Sequence, residues 1–350
     1  MRLLFDLGHP AHVHLFRHVI DRIRDEGGQA LAATRFKDVT VNLCHAYNIP
    51  QIVLSRANTG GFFPGCCEFF IRTLKLLKMA RKFRPDALLG TSMSIGLVGR
   101  VIGRPSFVFG EDDADVVPLF AKTVYPVCNY VVTPQCLKHE NYGAKHLCYP
   151  GYHELAYLHP DHFSPDPDVP RFLGLEPEKP YFLLRLVSLK AHHDVHASGL
   201  PIEAARRIVE LLGKRGRLLI VAERRLREEF RQYQFPLPPE KFHHVLAFAS
   251  MCIGDSQTVA AEAAVLGVPN LRCNSFVGRI TYLEELEKTF GLTKGFLPGQ
   301  TQAMFETVAT WLGNLAHVKH DMQVRRKKML NKTVNLAQWQ WQLIFRAIAH

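Results

Sequence analysis

Gly254-Asp255-Ser256-Gln257-Thr258-Val259-Ala260-Ala261-Glu262-Ala263-Ala264-Val265-Leu266-Gly267-Val268-Pro269 is the stretch on which the reading of this chain turns. An apolar run, residues 247–253, leads into it, and a helical pattern follows over 257–267. Small and hydroxyl residues occupy the turn. The unpaired N–H groups of a helix start are therefore open to an anion, and the helix dipole favours negative charge there. Asp255, Ser256, Gln257 and Thr258 are the candidate diphosphate contacts. Glu262 lies six residues after Ser256, where a carboxylate can accept hydrogen bonds from ribose hydroxyls. Asp255 and Ser256 are also good caps, and a plain capped helix needs no ligand.

Working outward, short apolar runs alternate with helical patterns. Strands are expected over 2–7, 30–34, 51–54, 86–90, 106–109 and 130–133, with helices over 11–26 and 37–47. Residues 151–180, rich in Pro, His and Asp, read as a linker. A second series follows, with strands over 181–186, 218–222, 244–246, 251–253 and 270–272. Its helices are expected over 201–215, 224–233, 257–267, 279–290 and 302–316, then a terminal helical stretch over 319–349. Such alternation implies α/β architecture with parallel sheets. The expectation is two Rossmann-like, doubly wound domains facing a cleft, with ligands outside the carboxyl ends of the strands. The expected divisions are 1–155, 156–325 and a helical segment 326–350 that packs back on the first domain.

The 350 residues suffice for two ordinary domains, and 47% hydrophobic with 21% charged residues fits a soluble enzyme. No apolar run is long enough to span a bilayer, and Asp6 interrupts the start too early for a signal peptide. Eight cysteines are scattered without a CxxC pair, as reduced thiols of a cytoplasmic protein would be. The net charge of +11 favours polyanionic partners such as nucleotide diphosphates or anionic lipid. With no RNA-recognition signature, zinc finger or basic low-complexity tail, nucleic acid is not an expected partner.

Several motifs fall at expected strand ends. In Gly8-His9-Pro10-Ala11-His12-Val13-His14, Gly8 permits a tight turn and Pro10 suits a first helical position. His9 and His12 are candidates for a general base or a phosphate donor; a capping role is the plain alternative, and no acidic ligand stands beside them for a metal. Thr91 and Ser92 follow the fourth strand and can bind an anion or cap a helix. Glu111 and Asp112 open a four-acid run in which mutual repulsion can raise one pKa. Arg185 and Lys190 can neutralise a diphosphate, with His192 and His193 close by. Glu223 stands where such domains meet a base or ribose, and Arg272 follows the strand after the opening motif. Residues 66–84 mix aromatics with Arg72, Lys75, Lys78, Arg81 and Lys82. That pattern fits a helix lying on an anionic membrane, or an ordinary surface helix with an apolar inner stripe.

The opening 5–14 segment, Gly151-Tyr152-His153-Glu154-Leu155-Ala156-Tyr157-Leu158, the 254–269 stretch and 272–278 together resemble the GT-B-type glycosyltransferases and the UDP-N-acetylglucosamine 2-epimerases. Within that superfamily the chain is most similar to a bacterial and archaeal family catalogued as a domain of unknown function. The resemblance implies a nucleotide-sugar donor, a UDP-sugar first of all, held by the second domain, with no bound cofactor or metal. It places Ser256 on phosphate, Glu262 on ribose, Glu111 as a catalytic carboxylate, and His192 or His193 where the epimerases carry a histidine. In GT-B transferases a residue of the first loop often serves as base, which favours His9 or His12. The chain departs from the epimerases in having Asp255-Ser256-Gln257-Thr258 for a Ser-Gly-Gly run, and Gly90-Thr91-Ser92 for Gly-Asp-Thr.

The leading expectation is a cytoplasmic glycosyltransferase, peripheral on the inner face of the membrane through 66–84, acting on a surface-glycan or lipid-linked acceptor. The alternatives are a UDP-sugar 2-epimerase or hydrolysing relative, and a non-enzymatic basic module.

Overall fold

A computed structural model describes residues 1–36, 39–56, 62–187, 198–223 and 225–349, the side chains of 62–66 and 349 excepted. The chain divides into two compact units, Met1–His162 with Val334–His350, and Phe163–Thr333.

The first unit alternates β1 (Arg2–Leu7), α1 (Pro10–Asp25), β2 (Gln29–Phe36), α2 (Thr40–Ala46), β3 (Gln51–Arg56) and α3 (Phe62–Phe83). It continues with β4 (Ala87–Gly90), α4 (Met93–Ile102), β5 (Ser106–Phe109), α5 (Pro118–Val124), β6 (Tyr130–Pro134) and β7 (His146–Tyr149). The sheet order is β3-β2-β1-β4-β5-β6-β7, with all pairings parallel. The strands are apolar on both faces because helices cover both. Leu4, Leu88, Val108 and Val131 pack with Leu76, Met79 and Ala80 of α3 and Ile95 and Val98 of α4. On α1, Pro10 begins the helix, and Phe16 packs tilted against Phe5 and edge-on against Phe109, at ring distances of 5.6 and 5.2 Å.

The second unit runs α6 (Asp168–Phe172), β8 (Tyr181–Leu186), α7 (Ile202–Gly213), β9 (Arg217–Ala222), α8 (Phe242–Phe248), β10 (Met251–Gly254) and α9 (Gln257–Leu266). Next come β11 (Asn270–Cys273), α10 (Thr281–Glu284, extended by a π turn), β12 (Lys294–Phe296), α11 (Thr301–Gly313) and α12 (Leu315–Leu330). Its sheet, β12-β11-β10-β8-β9, is also wholly parallel. Phe182, Leu184, Met251 and Ile253 pack against α7 and α11. Helix α9 is buried all round from Val259 to Leu266, which its alanines allow by letting neighbours approach closely.

Four expectations are corrected. Residues 244–246 belong to helix α8, not a strand; a run of three apolar-flanked residues carries no decisive period. The expected helix over 224–233 is a short 3₁₀ turn, Glu228–Tyr233, with residue 224 outside the described residues. Strands β7 and β12, only four and three residues long, were not foreseen. The supposed linker is not all linker: Tyr152, Leu155, Ala156, Tyr157 and Leu158 are core of the first unit.

Helix α13 (Leu336–Ala349) completes the first unit. Val334 N–H donates to Pro150 O at 2.9 Å, and Asn335 bonds both His162 (3.0 Å) and Asp161 (2.9 Å). Trp341 is buried, with the Arg22 guanidinium 4.4 Å from its ring. Trp341→Ala is expected to destabilise the first unit by about 3–5 kcal/mol through the cavity it leaves. Urea unfolding followed by hydrogen exchange checks this, with amides of the second unit keeping their protection.

Candidate functional site

In the first sheet the crossovers diverge between β1 and β4, the point at which ligands of open α/β sheets bind. Asp6 lies opposite Gly90 there and is fully buried. Its two oxygens accept from the Arg72 guanidinium of α3 and from the Ser92 hydroxyl. Arg72 also donates to Thr34 O at 3.1 Å. Burial lowers the Arg72 pKa to about 10, so its charge persists at neutral pH.

Ser92 holds the N-cap position of α4, yet its hydroxyl goes to Asp6 and not to the helix. Thr91 Oγ1 lies 2.8 Å from a ring nitrogen of His12. His9 caps α1: its Nδ1 accepts from the Ala11 N–H at 3.2 Å. That bond places the proton of the neutral ring on Nε2. The two rings are 5.7 Å apart, and both histidines are partly exposed. A Cβ at Gly8 would meet nothing within 4 Å.

Two strands along, β5 delivers Glu111 and Asp112 to the same carboxyl edge. Glu111 Oε2 sits 2.9 Å from Nδ1 of His153, which is buried. Among the described residues, Asp113, His139 and Glu140 bring potential ligand atoms within 4.8 Å of one another. The Glu140 oxygens already accept from Ala114 N–H (2.5 Å) and Tyr142 O–H (2.8 Å), and we assign no metal there.

In the second sheet the crossovers diverge between β8 and β10. Gly254 ends β10, where a Cβ would run into the Arg185 backbone. Asp255 is buried: its Oδ1 accepts from Val187 N–H at 2.8 Å, and its own N–H donates to Arg185 O at 3.2 Å. Ser256 caps α9 by accepting from Val259 N–H at 3.2 Å. Ser256, Gln257 and Thr258 keep part of their surface exposed. Asp255 is thus a brace of the turn, and the three residues after it form the accessible part.

Arg185 pairs with Glu223 across β8 and β9. Glu262 is buried, 2.9 Å from His243 Nε2 of α8. Arg272 is also buried and bonds Glu284 (2.8 Å) and Glu287 (3.0 Å), which makes it a strut under the loop after β11. Lys190, His192 and His193 lie outside the described residues.

Asp6 and His153 in the first unit, and His243 and Asn274 in the second, brace these strand ends and have no individual role in the sequence analysis. The signal for Asp6 was available: a carboxylate inside Leu3-Leu4-Phe5-Asp6-Leu7 must be buried with a partner. Arg72, one of the basic residues of 66–84, is buried, because it shares the i, i+4, i+7 stripe of Leu76 and Met79.

The chain belongs to the family described as "Protein of unknown function (DUF354)", which matches residues 1–283. No curated protein matches the sequence. Among solved structures it is similar to spinosyn forosaminyltransferase SpnP, at 14% identity and TM-score 0.65 over 100% of both chains. It is similar to the UDP-GlcNAc 2-epimerase of Neisseria meningitidis bound to UDP-GlcNAc, at 13% identity and TM-score 0.65 over 100% of both. The MurG of Acinetobacter baumannii matches at 16% identity and TM-score 0.57, over 99% of each chain. At these identities the shared property is the fold, the α/β, two-sheet architecture of GT-B glycosyltransferases and UDP-GlcNAc 2-epimerases.

The pKa of Asp112 is raised from 3.8 to about 7; burial is the main cause, the Glu111 carboxylate adds to it, and His153 opposes it. A carboxyl that holds its proton more tightly folded than unfolded gives greatest stability below its unfolded pKa. Stability then falls as pH climbs between about 4 and 7. Asp112→Asn is therefore expected to flatten that fall and to raise the first unit's melting midpoint at pH 8 by roughly 2–6 °C, with little change at pH 4. Calorimetry at the two pH values checks it.

Proposed function

We propose that the protein is a metal-independent glycosyltransferase that moves a sugar from a nucleoside diphosphate, a UDP-sugar first of all, to a glycan or lipid-linked hydroxyl. The observation that carries this reading is the braced turn 254–258 at the switch point of the second sheet, in a fold shared with nucleotide-sugar proteins. In this reading the exposed start of α9 and Arg185 meet the diphosphate, and Glu262, held by His243, accepts from the ribose. His12, or His9, takes the acceptor proton as the acceptor oxygen bonds the anomeric carbon. The bond from that carbon to the β-phosphate oxygen breaks, and the charge on the departing diphosphate is met by N–H dipoles and the guanidinium. Release from Glu223 would free Arg185 for that task.

The Glu111–His153 pair, with Asp112 poised near neutrality, favours a second reading: acid–base chemistry on the sugar itself, as in an epimerase or hydrolysing relative. Product analysis with UDP-sugars and no acceptor separates the two.

Helix α3 supports a peripheral membrane site on the inner leaflet. Phe70, Ile71 and Leu74 are exposed, and Lys75, Lys78, Arg81 and Lys82 follow them on exposed positions. Apolar side chains that can enter the acyl boundary, flanked by cations, match an anionic lipid surface. Among the described residues no helix is long and apolar enough to cross a membrane.

A thermal-shift series with UDP, GDP, CMP, TDP, ADP and their sugars tests the donor site. One nucleotide family is expected to raise the midpoint, and Glu262→Gln, which keeps a partner for His243, to weaken that ligand at least about tenfold. No shift with any nucleotide would overturn both enzymatic readings and bring forward a basic module without a nucleotide site. Sedimentation with phosphatidylglycerol vesicles tests the membrane site. Binding should fall with added salt and be lost in a Phe70→Ser, Leu74→Ser double variant; equal binding to neutral phosphatidylcholine vesicles would refute it.

A further inference from the structure

Asn274 is the first residue beyond β11 and is 1% exposed. Its amide is used at both ends. Nδ2 donates to the Asp255 carbonyl at 3.1 Å, and Oδ1 accepts from the Phe276 N–H at 3.0 Å. The loop it begins is itself anchored. Ser275 N–H donates to Ser198 O at 2.9 Å, and Ser198 N–H returns a bond to Ser275 Oγ at 3.1 Å. Further on, Gly278 N–H donates to Glu284 at 3.0 Å, the same carboxylate that holds buried Arg272.

A trans peptide is planar, so the carbonyl of Asp255 and the N–H of Ser256 point in opposite directions. Asn274 holds the Asp255 carbonyl on the β11 side, so the Ser256 N–H, at the start of α9, faces away from Asn274. Asp255 braces the same turn toward β8 through Val187. The turn is therefore held from two neighbouring strand ends, its 255–256 peptide by Asn274 and its Asp255 side chain by Val187.

We infer that Asn274 is the positioning residue of the nucleotide site: it aims the Ser256 N–H at the phosphate of a nucleoside diphosphate without touching the ligand. This rests on the nucleotide reading proposed above. Its consequence is selective, because a misdirected N–H weakens a phosphate contact and leaves the nucleoside contacts alone.

The test measures UDP and uridine binding to the full chain by calorimetry and ligand-observed NMR, for wild type, Asn274→Ala and Asn274→Ser. The serine variant is uncharged, keeps a short oxygen acceptor for Phe276 N–H and cannot span to the Asp255 carbonyl, so it carries the test if the alanine variant does not fold. The expected result is a UDP dissociation constant raised about tenfold or more, with uridine within about twofold of wild type. UDP affinity unchanged in a folded variant, or UDP and uridine lost in parallel, overturns the inference. A wild-type chain that binds neither ligand overturns the nucleotide reading itself, a different failure from either of these.

Discussion

Every strand in both sheets runs parallel, and the rest of the structure depends on that constraint. Parallel neighbours cannot be joined by hairpins, so the chain crosses over between strands, through an α-helix at every step within the sheets except from β6 to β7. In the order β3-β2-β1-β4-β5 the chain leaves β1 toward one edge and β4 toward the other, and in β11-β10-β8-β9 it does the same around β8 and β10. At those two places the crossovers part and leave strand ends uncovered. Helix starts and loop residues gather there because the topology brings four chain segments together and covers none of them.

What occupies those places must satisfy a second constraint: buried polar groups need partners. Asp6 and Arg72 would each be costly alone, and removing one partner of such a pair costs about 3–5 kcal/mol. Together, and with Ser92 and Thr34 taking further bonds, they tie α3, β1, β2 and the start of α4 into one assembly. In the second unit Asp255, Asn274 and backbone N–H groups hold the turn, and buried Arg272 beside it is paired with Glu284 and Glu287. Helix α3 consequently has two faces of different character. Arg72, Leu76 and Met79 are fixed to the sheet, while Phe70, Ile71 and Leu74 are left outside. Under the proposed reading, the lipid-facing surface on α3 is joined to the histidine-bearing edge at β1 through the Arg72–Asp6 pair.

Most of this architecture is legible in the residues. Apolar runs of four to six residues between helical patterns mark the strands, and Pro10, Gly254 and Gly267 punctuate the helices where the backbone needs them. The groups at the strand ends, His12, Thr91, Glu111 and the 255–258 turn, are legible for the same reason, since they follow each run directly. Pairings across sequence are not. Nothing in the composition of 242–248 tells that His243 reaches Glu262, nineteen residues on, because that contact depends on how α8 packs beside α9. His153 meeting Glu111 and Asn274 meeting Asp255 are likewise set by sheet order. Short strands such as β7 and β12 escape because three or four residues carry too little period to be separated from loop.

The charge of the chain also divides once its partners are known. Of the basic residues late in the sequence, Arg326 donates to Val265 O at 2.8 Å, and Gln323 beside it donates to Leu266 O (3.0 Å) and Gly267 O (2.9 Å). These are the terminal carbonyls of α9. A cation at a helix C-terminus complements the negative end of its dipole. Helix α12 therefore spends part of its charge on the far end of the same helix whose start forms the 255–258 turn. With the carbonyl end satisfied inside the protein, the uncompensated end of α9 is its N-terminus, where Ser256 covers Val259 N–H. An anion placed there meets a dipole whose other pole is already neutralised, so its stabilisation is not offset by exposed carbonyls at the far end. The net positive charge alone would not distinguish a nucleotide from a membrane. The two are separated by position: Arg326 serves the carbonyl end of α9 from within, and Lys78, Arg81 and Lys82 stand exposed along α3.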